Sequence, residues 1–229
     1  ASEYVVSVLD AGTDAERALT YLAMERLSGS DLGSRIAEGG PLSPREAVDL
    51  LAQAAAALDV THAAGIVHRD INPKNLFVTT RDDGTARVKV LDFGIAKVLA
   101  ASPHAAATLA AGTPFYMSPE QLAGEGDIDG SADRLALGHV AFTALTGAAY
   151  FQEEHDRGHK PFQLVSAIAA GPKEPASERA ARRSVSLPDA FDSWFFTATH
   201  PERSARFKNA GEQIQSLAGV LGVHRSLAN

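Results

Sequence analysis

The sequence predicts an α+β fold, mainly α-helical and built as one domain, on three observations. Apolar, β-branched runs suited to strands are confined to two pairs, at residues 4–12 with 18–27 and at 75–80 with 86–93. Helical patterning dominates elsewhere, above all in "SADRLALGHVAFTALTG" at 131–147, which is apolar nearly all round, as a helix at a domain centre should be. No repeat, heptad pattern or linker divides the 229 residues, a length that can bury one substantial core.

In chain order, "YVVSVLDAG" and "ALTYLAMERL" flank a polar turn beginning at Asp14 and read as an antiparallel hairpin, which is too small to stand alone. After Ser28-Gly29 the texture becomes helical. "DLGSRIAE" gives a short helix at 31–38, and 43–65 gives a long one with Ser43 as N-cap, Pro44 at the first helical position and Gly65 as the stop. "NLFVTT" and "ARVKVLDF" then flank "RDDG", whose Asp83-Gly84 pair suits the positive backbone angles of a tight hairpin turn. Residues 95–117 are rich in Ala, Gly, Ser and Thr without a period and read as a long loop, a feature that is often functional. Further helices are expected at 161–170, 189–198 and 209–221.

Composition removes several classes of function. A net charge of -7 and a pI near 5.6 disfavour nucleic acid, whose phosphates call for a basic surface. The chain has no cysteine, so disulfides and thiolate chemistry are absent, which fits a cytoplasmic setting. No apolar run is long enough to span a membrane, so no membrane contact is expected of this segment. The first residues lack the pattern of a signal peptide, and because the chain opens directly on a strand it is expected to be part of something longer.

The chemistry concentrates in "GIVHRDINPKNLFV" at 65–78, where Asp70 follows His68 and Arg69 and precedes Asn75 at the spacing HRDxxxxN. An isolated His-Arg-Asp reads as a helix-terminus histidine beside a solvated ion pair. Here it is followed in order by Asp92-Phe93-Gly94, by "GTPFYMSPEQ" at 112–121 and by the helix from Ser131, and the ordered set reads as a catalytic loop with its partners.

On these motifs the sequence resembles the eukaryotic-like, or Hanks-type, serine/threonine protein kinases of bacteria, from about Tyr4 to the last helix. The resemblance implies a single partial kinase domain over 1–229, with 1–27 as the remnant of the small lobe and hinge and 28–222 as the large lobe. It implies ATP and Mg2+ as cofactors and protein substrates phosphorylated on serine or threonine; the oligomeric state is left open. Phosphoryl transfer needs an acceptor for the hydroxyl proton, oxygen ligands for the metal and positive charge on the γ-phosphate. Asp70 would be the base, and Asn75 and Asp92 would offer the hard oxygens that magnesium prefers. Met24 would border the adenine pocket, backbone groups of Glu25 and Leu27 would bond the adenine edge, Asp31 would reach the ribose and Phe77 would lie under the ring.

The same resemblance makes Arg69 the partner of a phosphorylated activation loop, with Thr108 and Ser102 as candidate acceptors and unmodified loop hydroxyls as the alternative. Thr113 would hydrogen-bond Asp70, and Asp133 would hold the catalytic loop from below. Glu120 and Arg206 would form a buried ion pair, with Arg203 as a rival for the arginine.

The pattern also breaks. No glycine-rich GxGxxG loop and no strand lysine of the VAIK type occur in the chain, so by itself it is expected to show little or no kinase activity. Asn72 stands where the family usually has lysine. It can hydrogen-bond a hydroxyl or a phosphate oxygen, but it brings no charge, and losing one preorganised contact of that kind costs on the order of a hundredfold in turnover. Lys74 reads as a surface residue. Two readings follow: a protein kinase with Asp70, Asn72 and Asn75 at its catalytic centre, or a pseudokinase acting as a binding scaffold.

Overall fold

The computed structural model describes residues 2–14, 19–92 and 114–223. Two small sheets lead into a helical body. Strands β1 (Val8–Asp14) and β2 (Leu19–Met24) pair antiparallel, and β3 (Gly29–Asp31), β4 (Leu76–Thr80) and β5 (Ala86–Val90) form a second antiparallel sheet in that order.

The first expected strand, 4–12, divides. The Val6 N–H donates to the Val90 carbonyl at 3.1 Å and the Val90 N–H to the Tyr4 carbonyl at 2.7 Å, so this stretch extends the second sheet alongside β5, in a parallel bridge between Val5 and Val90. β1 begins only at Val8. β2 stops at Met24, short of the expected Leu27, because the Glu25 N–H donates to the Ser7 carbonyl (2.9 Å) and its carboxylate turns to the Lys89 ammonium (2.8 Å). β3 has no counterpart among the expected strands. Its entry depends on Gly29 at φ +140°, where an added Cβ would fall 2.1 Å from the Val78 carbonyl oxygen. This close backbone approach admits no side chain.

Helices α1 (Leu32–Gly39) and α2 (Pro44–Ala63) follow the expected signals. The Asp31 carboxylate caps α1 by accepting the Ser34 N–H, and Ser43 caps α2 by accepting the Glu46 N–H. Next come α3 (Pro119–Leu122), α4 (Gly130–Thr146), α5 (Gln152–Asp156), α6 (Pro161–Ala169), α7 (Ala176–Ala181), α8 (Ala190–Ala198) and α9 (Ala210–Val220). The short α3, α5 and α7 are additions to the expected set.

α4 is the axis: all its residues but Gly130 and Arg134 are buried, and Gly147 ends it in the left-handed conformation with its N–H on the Thr143 carbonyl. α2 packs on one side and α8 on another. Between α4 and α8 lies an aromatic cluster in which Phe195 meets Phe142 at 5.4 Å and Tyr150 at 5.1 Å between ring centroids. Asp59 in α2 ties in the last helix by accepting the Ala210 and Gly211 N–H groups, both at 2.8 Å. No helix among the described residues is long and apolar enough to cross a membrane.

His139 sits inside the aromatic cluster, 3% exposed, with its ring at 5.5 Å from Phe195 and no partner for Nδ1. Burial pushes its pKa down to about 3, with Arg206 adding to the effect. An unfolded histidine titrates near 6.5, so between these values unfolding takes up a proton and stability falls as the pH falls from about 6.5. Each pH unit in that window should cost up to about 1.4 kcal/mol. Chemical denaturation at pH 7 and pH 5 should show the loss, and His139→Leu should reduce it.

Candidate active site

The loop at 66–75 is anchored from below by one carboxylate. Asp133, in the first turn of α4 and 1% exposed, accepts the His68 N–H at Oδ2 and the Arg69 N–H at Oδ1, each at 2.8 Å, and His62 donates Nε2–H to Oδ2 at 2.7 Å. Arg69 is thereby held at φ 66°, a left-handed conformation that costs a non-glycine residue about 1–2 kcal/mol. A second brace comes from α3, where Gln121 donates its amide to the Arg69 carbonyl at 2.8 Å.

His68 joins this loop to the end of β5. The Asp70 N–H donates to Nδ1 (3.2 Å), so Nδ1 is the bare nitrogen and Nε2–H donates to the Leu91 carbonyl (2.6 Å). That arrangement requires a neutral ring. Burial lowers the His68 pKa below its ordinary value, against the opposing pull of Asp133.

Three predicted residues meet here. Asn75 donates Nδ2–H to both the carbonyl (2.8 Å) and the carboxylate (3.1 Å) of Asp70, which leaves its Oδ1 without a bond among the described residues. Asn72 donates to the same Asp70 carbonyl at 2.9 Å and accepts the Lys74 N–H at 3.0 Å, capping the 3-10 turn Pro73–Asn75. Much of its bonding capacity is therefore committed to the backbone. Asp92 is exposed, at φ 48°, directly after Leu91, whose N–H donates to the Asn75 carbonyl at 2.9 Å. The pairing of β4 with β5 thus brings the Asn75 and Asp92 segments side by side.

The residues expected around a nucleotide form a second group. Phe77, half-buried in β4, lies opposite Asp31 on one side and Lys89 on the other, and Lys89 holds Glu25. The Lys89 hydrogen bond, followed by that of the Ser7 N–H, outweighs burial and keeps the Glu25 carboxyl below its ordinary range. With the Glu25 N–H on Ser7, its carbonyl is the group left for a ligand, whereas neither backbone group of Leu27 has a partner among the described residues. Met24, at the end of β2, is exposed. Burial raises the Asp31 pKa and the Ser34 bonds lower it more, so this carboxylate is ionised, but it is engaged as a helix cap at 2.9 Å and 2.6 Å. Phe93, Gly94, Ser102, Thr108 and Thr113 lie outside the described residues.

A cleft of about 740 Å³ opens beside Asp70, lined among others by Asn72, Gly33, Ile36, Phe115 and Ala136. Arg206 takes the larger share of Glu120: its guanidinium bonds both oxygens (2.7 and 2.9 Å), whereas Arg203 lies 3.7 Å from Glu120 and hydrogen-bonds Glu125 (2.5 Å) and the Asp127 carbonyl (2.8 Å). Sequence reasoning missed His62 and Lys89, and named the motifs holding His68 and Gln121 without their bracing roles.

The sequence profile described as protein kinase domain matches residues 1–206. The chain belongs to the protein kinase family. Bacterial serine/threonine-protein kinases are among its relatives, as the sequence motifs implied. It is 45% identical over 153 residues to serine/threonine-protein kinase Pkn1 of Myxococcus xanthus, covering 66% of this chain and 21% of that protein. It is 34% identical over 218 residues to a probable serine/threonine-protein kinase, CE0033, of Corynebacterium efficiens, covering 93% of this chain and 31% of that protein. The kinase domain of Mycobacterium tuberculosis PknI superposes with a TM-score of 0.70 at 26% identity, over 97% of this chain and 74% of that one. The chain spans about a fifth to a third of the length of the curated kinases it matches. The expected protein-kinase-like fold, mainly helical with few strands, is borne out.

Proposed function

We propose that this chain is the large lobe and hinge of a serine/threonine kinase which, in the intact cytoplasmic protein, transfers the γ-phosphate of ATP to a serine or threonine of a protein substrate. The observation that carries the reading is the Asp70–Asn75 pair at the mouth of the cleft, 3.1 Å apart and braced through Asp133. Asp70 accepts the proton of the attacking hydroxyl, and Asn75 orients the Asp70 carboxylate. Asn75 Oδ1 and the Asp92 carboxylate suit Mg2+, since both are hard oxygen donors with no other bond among the described residues. Bound there, the ion would neutralise phosphate charge. The unpartnered backbone of Leu27 and the carbonyl of Glu25 bond the adenine, Met24 and Phe77 flank it, and Asp31 faces the ribose.

Residues 1–27 belong on this reading to a small lobe. Val8, Leu9 and Leu19 are 53%, 70% and 59% exposed, a surface that further strands of such a lobe would bury. Phosphate transfer from labelled ATP by the intact protein tests the proposal. The Asp70→Asn variant should lose about a hundredfold or more, and equal incorporation by variant and wild type would sink it. A specific observation favours the second reading, a pseudokinase scaffold: Asn72 lacks the lysine charge and its amide is engaged with the Asp70 carbonyl and the Lys74 N–H.

A further inference from the structure

We propose that a pocket between the end of α2, the start of α4 and the turn before α9 binds a phosphate monoester through Arg134 and Lys208. The site is separate from the cleft beside Asp70 and does not depend on the kinase reading. It has a volume of about 530 Å³ and is lined by Asp59, His62, Ala63, Arg134, Lys208 and Asn209.

The acceptors of this lining are already used. The two Asp59 oxygens take the Ala210 and Gly211 N–H groups, both at 2.8 Å, and Asn209 Oδ1 takes the Glu212 N–H at 2.7 Å. These bonds cap α9, so the three N–H groups are closed to a ligand. His62 donates Nε2–H to Asp133 at 2.7 Å, and its Nδ1 lies against Gly130, 2.6 Å from where a side chain there would begin. The donors are free. Among the described residues the side chains of Arg134 and Lys208 make no hydrogen bond or ion pair, the Asn209 NH2 has no partner, and Arg134 Nε is buried without one. Arg134 is half-buried. Burial, with Arg206 adding to it, lowers the Arg134 pKa more than Asp129, Asp59 and Asp133 raise it, so this cation is short of negative charge.

Two cations and an amide donor lining one pocket call for a ligand made of acceptors. A phosphate monoester brings close to two negative charges and three terminal oxygens at pH 7, and a flat guanidinium can hold two of those oxygens at once. A carboxylate has a single charge and would leave the second cation unmatched. Asp59 is the one acid of the lining, and its charge is turned to the positive end of α9. With a net charge of -7 the chain has no general attraction for anions, so binding here would report the local cations.

Fluorescence anisotropy of the intact protein tests this with a labelled peptide whose only side-chain charge is one phosphoserine, beside the same peptide carrying serine. The phosphorylated peptide should bind at least about tenfold more tightly. Lys208→Gln should weaken it about twofold to fivefold and Arg134→Met about tenfold. Arg69→Gln, which alters the cleft beside Asp70, should leave it unchanged. Lys208 is exposed, so its variant keeps the fold. Arg134→Met removes an unpaired, half-buried cation and should leave the urea midpoint unchanged or raise it. Inorganic phosphate as competitor separates the two sources of the ligand. Displacement of the peptide at equal concentration assigns the pocket to the free anion, and a need for excess phosphate assigns it to a phosphorylated side chain. Equal binding of the two peptides, binding that survives both variants, or a loss confined to Arg69→Gln overturns the proposal.

Discussion

Arg206→Ala should lower the unfolding free energy by about 3–5 kcal/mol, and Arg203→Ala by less than about 1 kcal/mol. Denaturant midpoints at unchanged slope would read the difference. The contrast follows from burial and not from charge. The Arg206 side chain is 0% exposed and that of Glu120 is 3% exposed, and besides the carboxylate the guanidinium bonds the carbonyls of His200 (2.6 Å), Pro201 (2.8 Å) and Ser131 (3.2 Å). Truncation leaves three carbonyls and one buried carboxylate without their donor. Arg203, 26% exposed, lies 3.7 Å from Glu120 without a hydrogen bond to it and makes its close pair with the 55% exposed Glu125, where water replaces what is lost. Burial raises the Glu120 pKa, and the Arg206 bond and charge lower it more. This part of the pair's contribution is present above the ordinary carboxylate value and is lost as the pH falls through the lowered one. Replacing both residues with apolar side chains of matching volume should recover only the part due to the lone buried carboxylate, because the His200, Pro201 and Ser131 carbonyls still lose their donor.

This pair also marks how much of the site was legible in the sequence. Glu120 could be read from its motif, but two arginines stood three residues apart, and the choice between them depends on which one the turn after α8 directs inward. Asp70 and Asn75 were legible from their motif and Asp133 from the family resemblance, and the structure brings all three together around one loop. The bounds of β1 and β2 were not legible, because they are set by the distant contacts Val6–Val90 and Lys89–Glu25 and not by propensity. The helices α3, α5 and α7 have four to six residues, too few for a period to show or for local propensity to hold them. α7 persists because buried Arg179 lies 4.0 Å over the Tyr150 ring and bonds Glu154 and Glu174. The left-handed backbone at Arg69 and Asp92 was hidden for a different reason: no glycine stands at either position to announce it.

Asp133→Ala should cost about 2–6 kcal/mol of stability, since it strips the acceptor from the His68 and Arg69 N–H groups at about 1–3 kcal/mol each. Asp133→Asn should cost roughly half as much, because the amide oxygen still satisfies one N–H while the NH2 faces the other. The consequence for activity is larger than the consequence for folding. The Asp133 bonds to the His68 and Arg69 N–H groups are what hold Arg69 at φ 66°, and a residue kept in that region relaxes when its restraint goes. Relaxation at Arg69 swings the next residue, Asp70, out of its 3.1 Å contact with Asn75. A displacement of about 1 Å costs on the order of a hundredfold in a reaction that depends on alignment. On the kinase reading, the Asn variant of the intact protein should therefore stay folded and lose turnover with little change in KM, because α1 beside the cleft remains in place. His62→Ala, which removes only the outermost donor to Asp133, from a side chain 14% exposed, should cost about 1 kcal/mol and leave the two N–H bonds intact. If His62→Ala and Asp133→Asn lowered turnover equally, the loop would be held by the histidine as much as by the carboxylate, and the leading role assigned to Asp133 would fail.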